Sequence, residues 1–183
     1  MSLNKKDRKQ KICIKNIEDV AKVARKIYNE DNKICFLSVP GCEEDIVIRR
    51  DDSISTEAKT NYYPQLGVYE IILGKNQDKD DSYIDETIHE LSHIYRGHLN
   101  NKQLNMEDFI RQEMEAWLDS SFLVKKNILA NGQWLVGIGN KAMETYREKP
   151  RKVIKTMRKV VDNIEDLKIS EREWEIIEMV LIK

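Results

Sequence analysis

Apolar residues recur at three- and four-residue steps at Ile17, Val20, Ala21, Ala24, Ile27 and Tyr28, which predicts an amphipathic helix over about residues 16–29 with Asn16 as its N-cap. Two short apolar runs follow, residues 34–39, ended by Pro40-Gly41, and residues 46–48, and they predict strands joined by a turn. Residues 51–61 are polar and read as a loop, whereas VYEIIL over 68–73, bracketed by Gly67 and Gly74, has the β-branched and aromatic content of a strand. Ile84, Ile88, Leu91 and Tyr95 then form the apolar stripe of a helix over about 83–96, with Gly97 as its stop. His89 and His93 lie off that stripe.

Beyond Gly97 the pattern is helical. Asn105 caps a predicted helix over about 106–126 with Phe109, Ile110, Met114, Trp117, Leu118 and Val124 as apolar bulk. Residues 134–138 are apolar but interrupted by Gly137 and Gly139, so they read as a turn or short helix. Pro150 fits the first turn of a helix over 150–164, and Ser170 followed by Glu173 opens a last helix to about 181. The expectation is one α+β domain over 1–183, built on a small twisted sheet, with a frayed charged lead at 1–14 and a helical C-terminal extension at 127–183.

Charge narrows the partners. With 31 basic and 32 acidic residues the net charge is -1, so no global field attracts nucleic acid or an anionic membrane. The opening MSLNKKDRKQK lacks the apolar run of a signal peptide, and no stretch reaches the ~18 apolar residues of a membrane span. The protein reads as cytoplasmic, without a membrane partner, and nothing in the chain speaks to its oligomeric state. Cys13, Cys35 and Cys42 have no paired spacing and read as reduced, mostly buried thiols.

The chemistry is concentrated at His89-Glu90-Leu91-Ser92-His93, which holds two of the three histidines in the chain. Residues four apart stack on one helical face, so both imidazoles can meet one metal ion while Glu90 projects beside them. A catalytic Zn2+ takes three protein ligands and keeps a position for water, and a carboxylate next to that water can take its proton. Glu90 is therefore the candidate general base.

The third ligand has three candidates. Glu115 lies in the next helix with Asp119 one turn on, where Asp119 can receive the second ring N–H of His89 and fix its tautomer. Glu113 is the reserve. His98 comes five residues after His93, about 500° around a continuing helix, and points away unless Gly97 redirects it. Tyr95, His98 and Tyr146 each carry a donor for an oxyanion, and the sequence places none of them beside the metal.

The run Glu115-Ala116-Trp117-Leu118-Asp119 after HELSH resembles the zincin metallopeptidases whose third zinc ligand is Glu. More narrowly, HELSHIYRGH over 89–98 resembles the HELGHxxxGH segment of the ImmA/IrrE family, with Ser92 in place of its Gly and Trp117 in place of its Asp or Asn. The resemblance covers about residues 65–125. It implies a zincin-like fold with an active-site helix and a facing Glu-ligand helix, Zn2+ on His89, His93 and Glu115, Glu90 as base, and a peptide or protein substrate, often a transcriptional repressor. Strand 68–73, if it lies at the sheet edge, can hold an extended peptide.

The expected function is a zinc metallopeptidase. The alternative is a catalytically inactive metal-binding or protein-interaction module on the same fold. Arg147, Lys149, Arg151, Lys152, Lys155, Arg158 and Lys159 form a local basic stretch, which reads as the solvated face of an amphipathic helix rather than a nucleic-acid surface.

Overall fold

Alternation of side chains across a pleat accounts for the sheet. The computed structural model describes residues 11–30, 34–54, 58–74, 82–100, 104–121, 133–164 and 167–182. Its contacts divide the chain into two compact units, residues 1–100 and 101–183. Among the described residues the architecture is α+β, with a mixed five-stranded sheet and six α-helices.

The first unit contains β1 (Ile12–Cys13), α1 (Ile17–Asn29), β2 (Ile34–Ser38), β3 (Asp45–Arg50), β4 (Lys59–Tyr63), β5 (Val68–Leu73) and α2 (Ser82–Tyr95). The strand order is β1-β2-β3-β5-β4, with β2 antiparallel to β3, β3 parallel to β5 and β5 antiparallel to β4. Cys35 and Leu37 of β2, Ile46 and Ile48 of β3, and Tyr69, Ile71 and Leu73 of β5 share one core with Val20, Val23, Ala24 and Ile27 of α1 and Ile84, Ile88, Leu91 and Ile94 of α2. Their neighbours along the strands, Phe36, Val47 and Val68, form a small separate cluster. Asn16 caps α1 by accepting the Asp19 N–H at 3.0 Å, as its position before the periodic run predicts.

Several expectations are corrected here. Residues 12–14 are not frayed: β1 pairs with β2, and Ile14 is buried. The supposed loop at 51–61 runs into β4, whose residues alternate between the two faces and pair with β5 from Lys59↔Ile72 to Tyr63↔Val68. Strand β5 is consequently interior, flanked by β3 and β4, and the sheet edge on that side is β4. Of the three thiols only Cys35 is buried; Cys13 is exposed and Cys42 half-buried, and none of the three is in a disulfide.

The outer face of β4 is tied down by charge. The Glu70 carboxylate of β5 accepts from Tyr63 Oη at 2.9 Å and from Arg49 Nε at 2.9 Å. Burial opposes ionisation of Glu70, but the bonds from Arg49, Tyr63 and Asn61 hold its carboxyl below the ordinary range.

The second unit contains α3 (Met106–Ser121), α4 (Gln133–Tyr146), α5 (Pro150–Val161) and α6 (Glu171–Ile182). Ile110 and Met114 of α3 pack with Leu135, Ile138 and Ala142 of α4, Val153 and Met157 of α5 and Ile177 and Leu181 of α6. The predicted caps form: Asn105 Oδ1 accepts the Asp108 N–H at 2.9 Å, and Ser170 and Glu173 bond reciprocally. Val124, assigned to the α3 helix by pattern, lies outside the described residues.

The segment read as a turn or short helix at 134–138 is part of α4, a full 14-residue helix. Gly139 explains how a glycine survives there, since a Cβ on it would stand 2.7 Å from Leu181 Cδ1 and 3.2 Å from Met157 Sδ. Gly137 meets nothing within 4 Å. Gly137→Ala should therefore raise stability by about 0.5–1 kcal/mol through helix propensity, whereas Gly139→Val should lower it by about 1–3 kcal/mol through overpacking. Urea unfolding of both variants checks the opposite signs.

Three of the seven basic residues of the stretch are paired within this unit. Arg158 contacts Glu171 and Glu178 and lies 4.8 Å from the Trp174 ring centroid, Lys159 meets Glu107 at 2.7 Å, and Lys152 pairs with Glu148. No helix among the described residues is long and apolar enough to cross a membrane.

Candidate metal centre

Helix α2 is pinned to the sheet by Ile84, Ile88, Leu91 and Ile94. Ile94, not Tyr95, completes the apolar stripe, and Tyr95, the last helical residue, is 70% exposed. The stacking expected of residues four apart brings the rings of His89 and His93 to 4.6 Å between centroids, nearly perpendicular at 86°. Both side chains are buried. Their Nε2 atoms converge to 3.1 Å.

That separation has a chemical meaning. Two nitrogens bound at about 2.0–2.1 Å in a tetrahedral array stand about 3.3 Å apart. The imidazole pair therefore already holds the spacing of two vertices of a tetrahedral metal site.

Glu90 is half-buried, and its Oε2 accepts the Thr60 hydroxyl at 2.5 Å. Thr60 stands on β4 opposite Ile71, on the pleat face that also carries the core residues of β5. No motif in the sequence points to Thr60; it was hidden because residues 51–61 read as loop. A hydroxyl donor favours the ionised form of a carboxylate and fixes its rotamer, which are the two needs of a base.

Helix α2 ends as Gly97 predicts. Arg96 and Gly97 donate to the carbonyls of Ser92 and Ile94, and Gly97 takes φ 68°, a left-handed conformation natural to glycine. The chain turns back into a short 3-10 turn, His98–Asn100, with Leu99 packed on the core. His98 is thereby buried, and its Nδ1 lies 3.0 Å from Nδ1 of His93. It reaches the ring nitrogen of His93 opposite the one that meets His89.

No family model, curated protein or solved structure matches this chain. Functional inference therefore rests on the chemistry of these side chains.

The carboxylates weighed as third ligand lie on α3. Glu115 and Asp119 are half-buried, and Glu113 is buried on the helix face that carries Ile110 and Met114. Lys141 Nζ approaches Glu113 Oε1 at 3.2 Å. The signal for Glu113 was present in the sequence: a carboxylate within the apolar stripe of its helix needs a cationic partner. Within the first unit, the buried imidazoles of His89 and His93 could hold a metal ion. Of the candidate oxyanion donors, Tyr146 gives its hydroxyl to the Leu104 carbonyl at 3.0 Å.

Proposed function

We propose that the chain is a zinc-dependent peptidase of zincin type, related in its site to the ImmA/IrrE peptidases that HELSHIYRGH resembles. The observation that supports this most is the convergence of His89 and His93 Nε2 at 3.1 Å beside a carboxylate, Glu90, that is held by Thr60. For the third ligand we take the carboxylates that the sequence offers after HELSH, Glu115 by the resemblance and Glu113 as the more buried of the two, and favour Glu113. Lys141 at one oxygen of Glu113 would orient it, as hydrogen-bonded partners of ligating carboxylates commonly do.

When bound, zinc polarises the scissile carbonyl and lowers the pKa of a coordinated water to about 7. The protein's own part is proton transfer. Glu90 takes the proton of the attacking water and passes it to the departing amine, so it must stay ionised in the resting enzyme and keep one orientation through both transfers. Thr60 serves both needs.

The test is hydrolysis of a pool of quenched fluorogenic peptides by the full chain reconstituted with zinc. Cleavage that a chelator stops and that Glu90→Gln lacks would support the reading; zinc uptake without cleavage of peptides or of unfolded protein would favour a binding module. Thr60→Val should lower kcat/KM by about 10-fold, within the range for loss of one hydrogen bond to a charged group. Zinc content should be unchanged in that variant, and an unaltered kcat/KM would remove Thr60 from the mechanism.

A further inference from the structure

We propose that His98 is a positioning residue for the metal centre, accepting the Nδ1–H of His93 and thereby fixing the tautomer in which His93 Nε2 carries a lone pair toward His89. The inference rests on the reading of His89 and His93 as metal ligands and concerns a residue that a continuing helix would turn away from the site.

The argument is one of proton placement. A neutral imidazole carries one N–H, and a nitrogen that ligates a metal cannot be the one that carries it. His93 turns Nε2 toward His89 Nε2 at 3.1 Å, so as a ligand it must bear its proton on Nδ1. A buried N–H needs an acceptor. His98 Nδ1, at 3.0 Å, is in position to accept, provided that His98 carries its own proton on Nε2. The opposite arrangement, with His98 donating, would put the His93 proton on Nε2, between the two would-be ligands.

Three features of the chain hold His98 there. Gly97, at φ 68°, reverses the backbone at the end of α2; the 3-10 turn follows at once; and Leu99 anchors it in the core. The rings of His93 and His98 stand 5.1 Å apart at 67°, so the contact is directed through the nitrogens rather than by stacking. His98 is not a third ligand at the position that His89 and His93 share, because the His93 nitrogen it reaches is the one turned from His89.

The experiment compares zinc affinity, by competition with a chromophoric chelator, in the parent, His98→Phe and His98→Asn. Phe keeps an aromatic ring without an acceptor, and Asn restores an acceptor without the ring. The expected result is about a 10- to 100-fold loss of affinity in His98→Phe, with substantial recovery in His98→Asn and the same far-ultraviolet circular dichroism in all three. Equal affinity in parent and His98→Phe would overturn the proposal. Equal losses in both variants would also overturn it, assigning His98 to packing. A parent that takes up no zinc would instead remove the metal reading on which it depends, and the proposal with it.

Discussion

Glu90→Gln is expected to keep its zinc and lose peptide hydrolysis by at least about 10²- to 10⁴-fold, the range that a general base contributes. The substitution is nearly isosteric, and the amide oxygen can still accept the Thr60 hydroxyl that now reaches Oε2 at 2.5 Å. Side-chain placement is thereby conserved while basicity is removed. The ligand imidazoles belong to other residues, so metal content should stay at that of the parent. Elemental analysis and peptide cleavage, measured on the same preparation, separate the two effects. Undiminished cleavage by the zinc-loaded variant would show that Glu90 is not the base.

The second large effect concerns the ligands. About one zinc per chain is expected in the parent, and His89→Ala should lose it, with a fall in affinity greater than the ~10- to 100-fold that removal of an outer hydrogen-bonding partner costs. His89→Ala discards one of two nitrogens that the fold brings to 3.1 Å, and the remaining imidazole of His93 cannot close a tetrahedron with a single carboxylate. The same titration on Glu113→Gln and Glu115→Gln identifies the carboxylate ligand. Loss in Glu113→Gln with retention in Glu115→Gln is the expected outcome. The reverse would return the role to Glu115, with Asp119 as its companion on α3. Glu113→Gln also removes the partner of Lys141, so its thermal midpoint should be measured alongside.

What could be read beforehand, and what could not, follows from the range of the interactions involved. Helix α2, its stop at Gly97 and the caps Asn16, Asn105 and Ser170 are set by contacts within a few residues, and each is visible in a short window. Strand β4 is different. KTNYY has little apolar character because it lies at an edge, and it is a strand only through its pairing with β5. Helix α4 was obscured by Gly137 and Gly139, whose cost in propensity is overridden at Gly139 by close packing against Leu181. His98 was projected along a helix that in fact ends at Tyr95, so its return to His93 depended on one backbone angle at Gly97. Glu113 stood only as the reserve ligand because the Glu-Ala-x-x-Asp pattern drew attention to Glu115, although Ile110 and Met114 already marked which face of α3 is buried.

The strand order has a consequence for how the site opens. β5 is held by two ladders and β4 by one, so the lowest-energy local opening of this part of the sheet detaches β4 and leaves β5 and α2 in place. Such an opening carries Thr60 away from Glu90 while His89 and His93 remain together. In amide exchange β4 would then form a less protected unit than β5, and the base could be disengaged and restored at a fraction of the free energy of global unfolding.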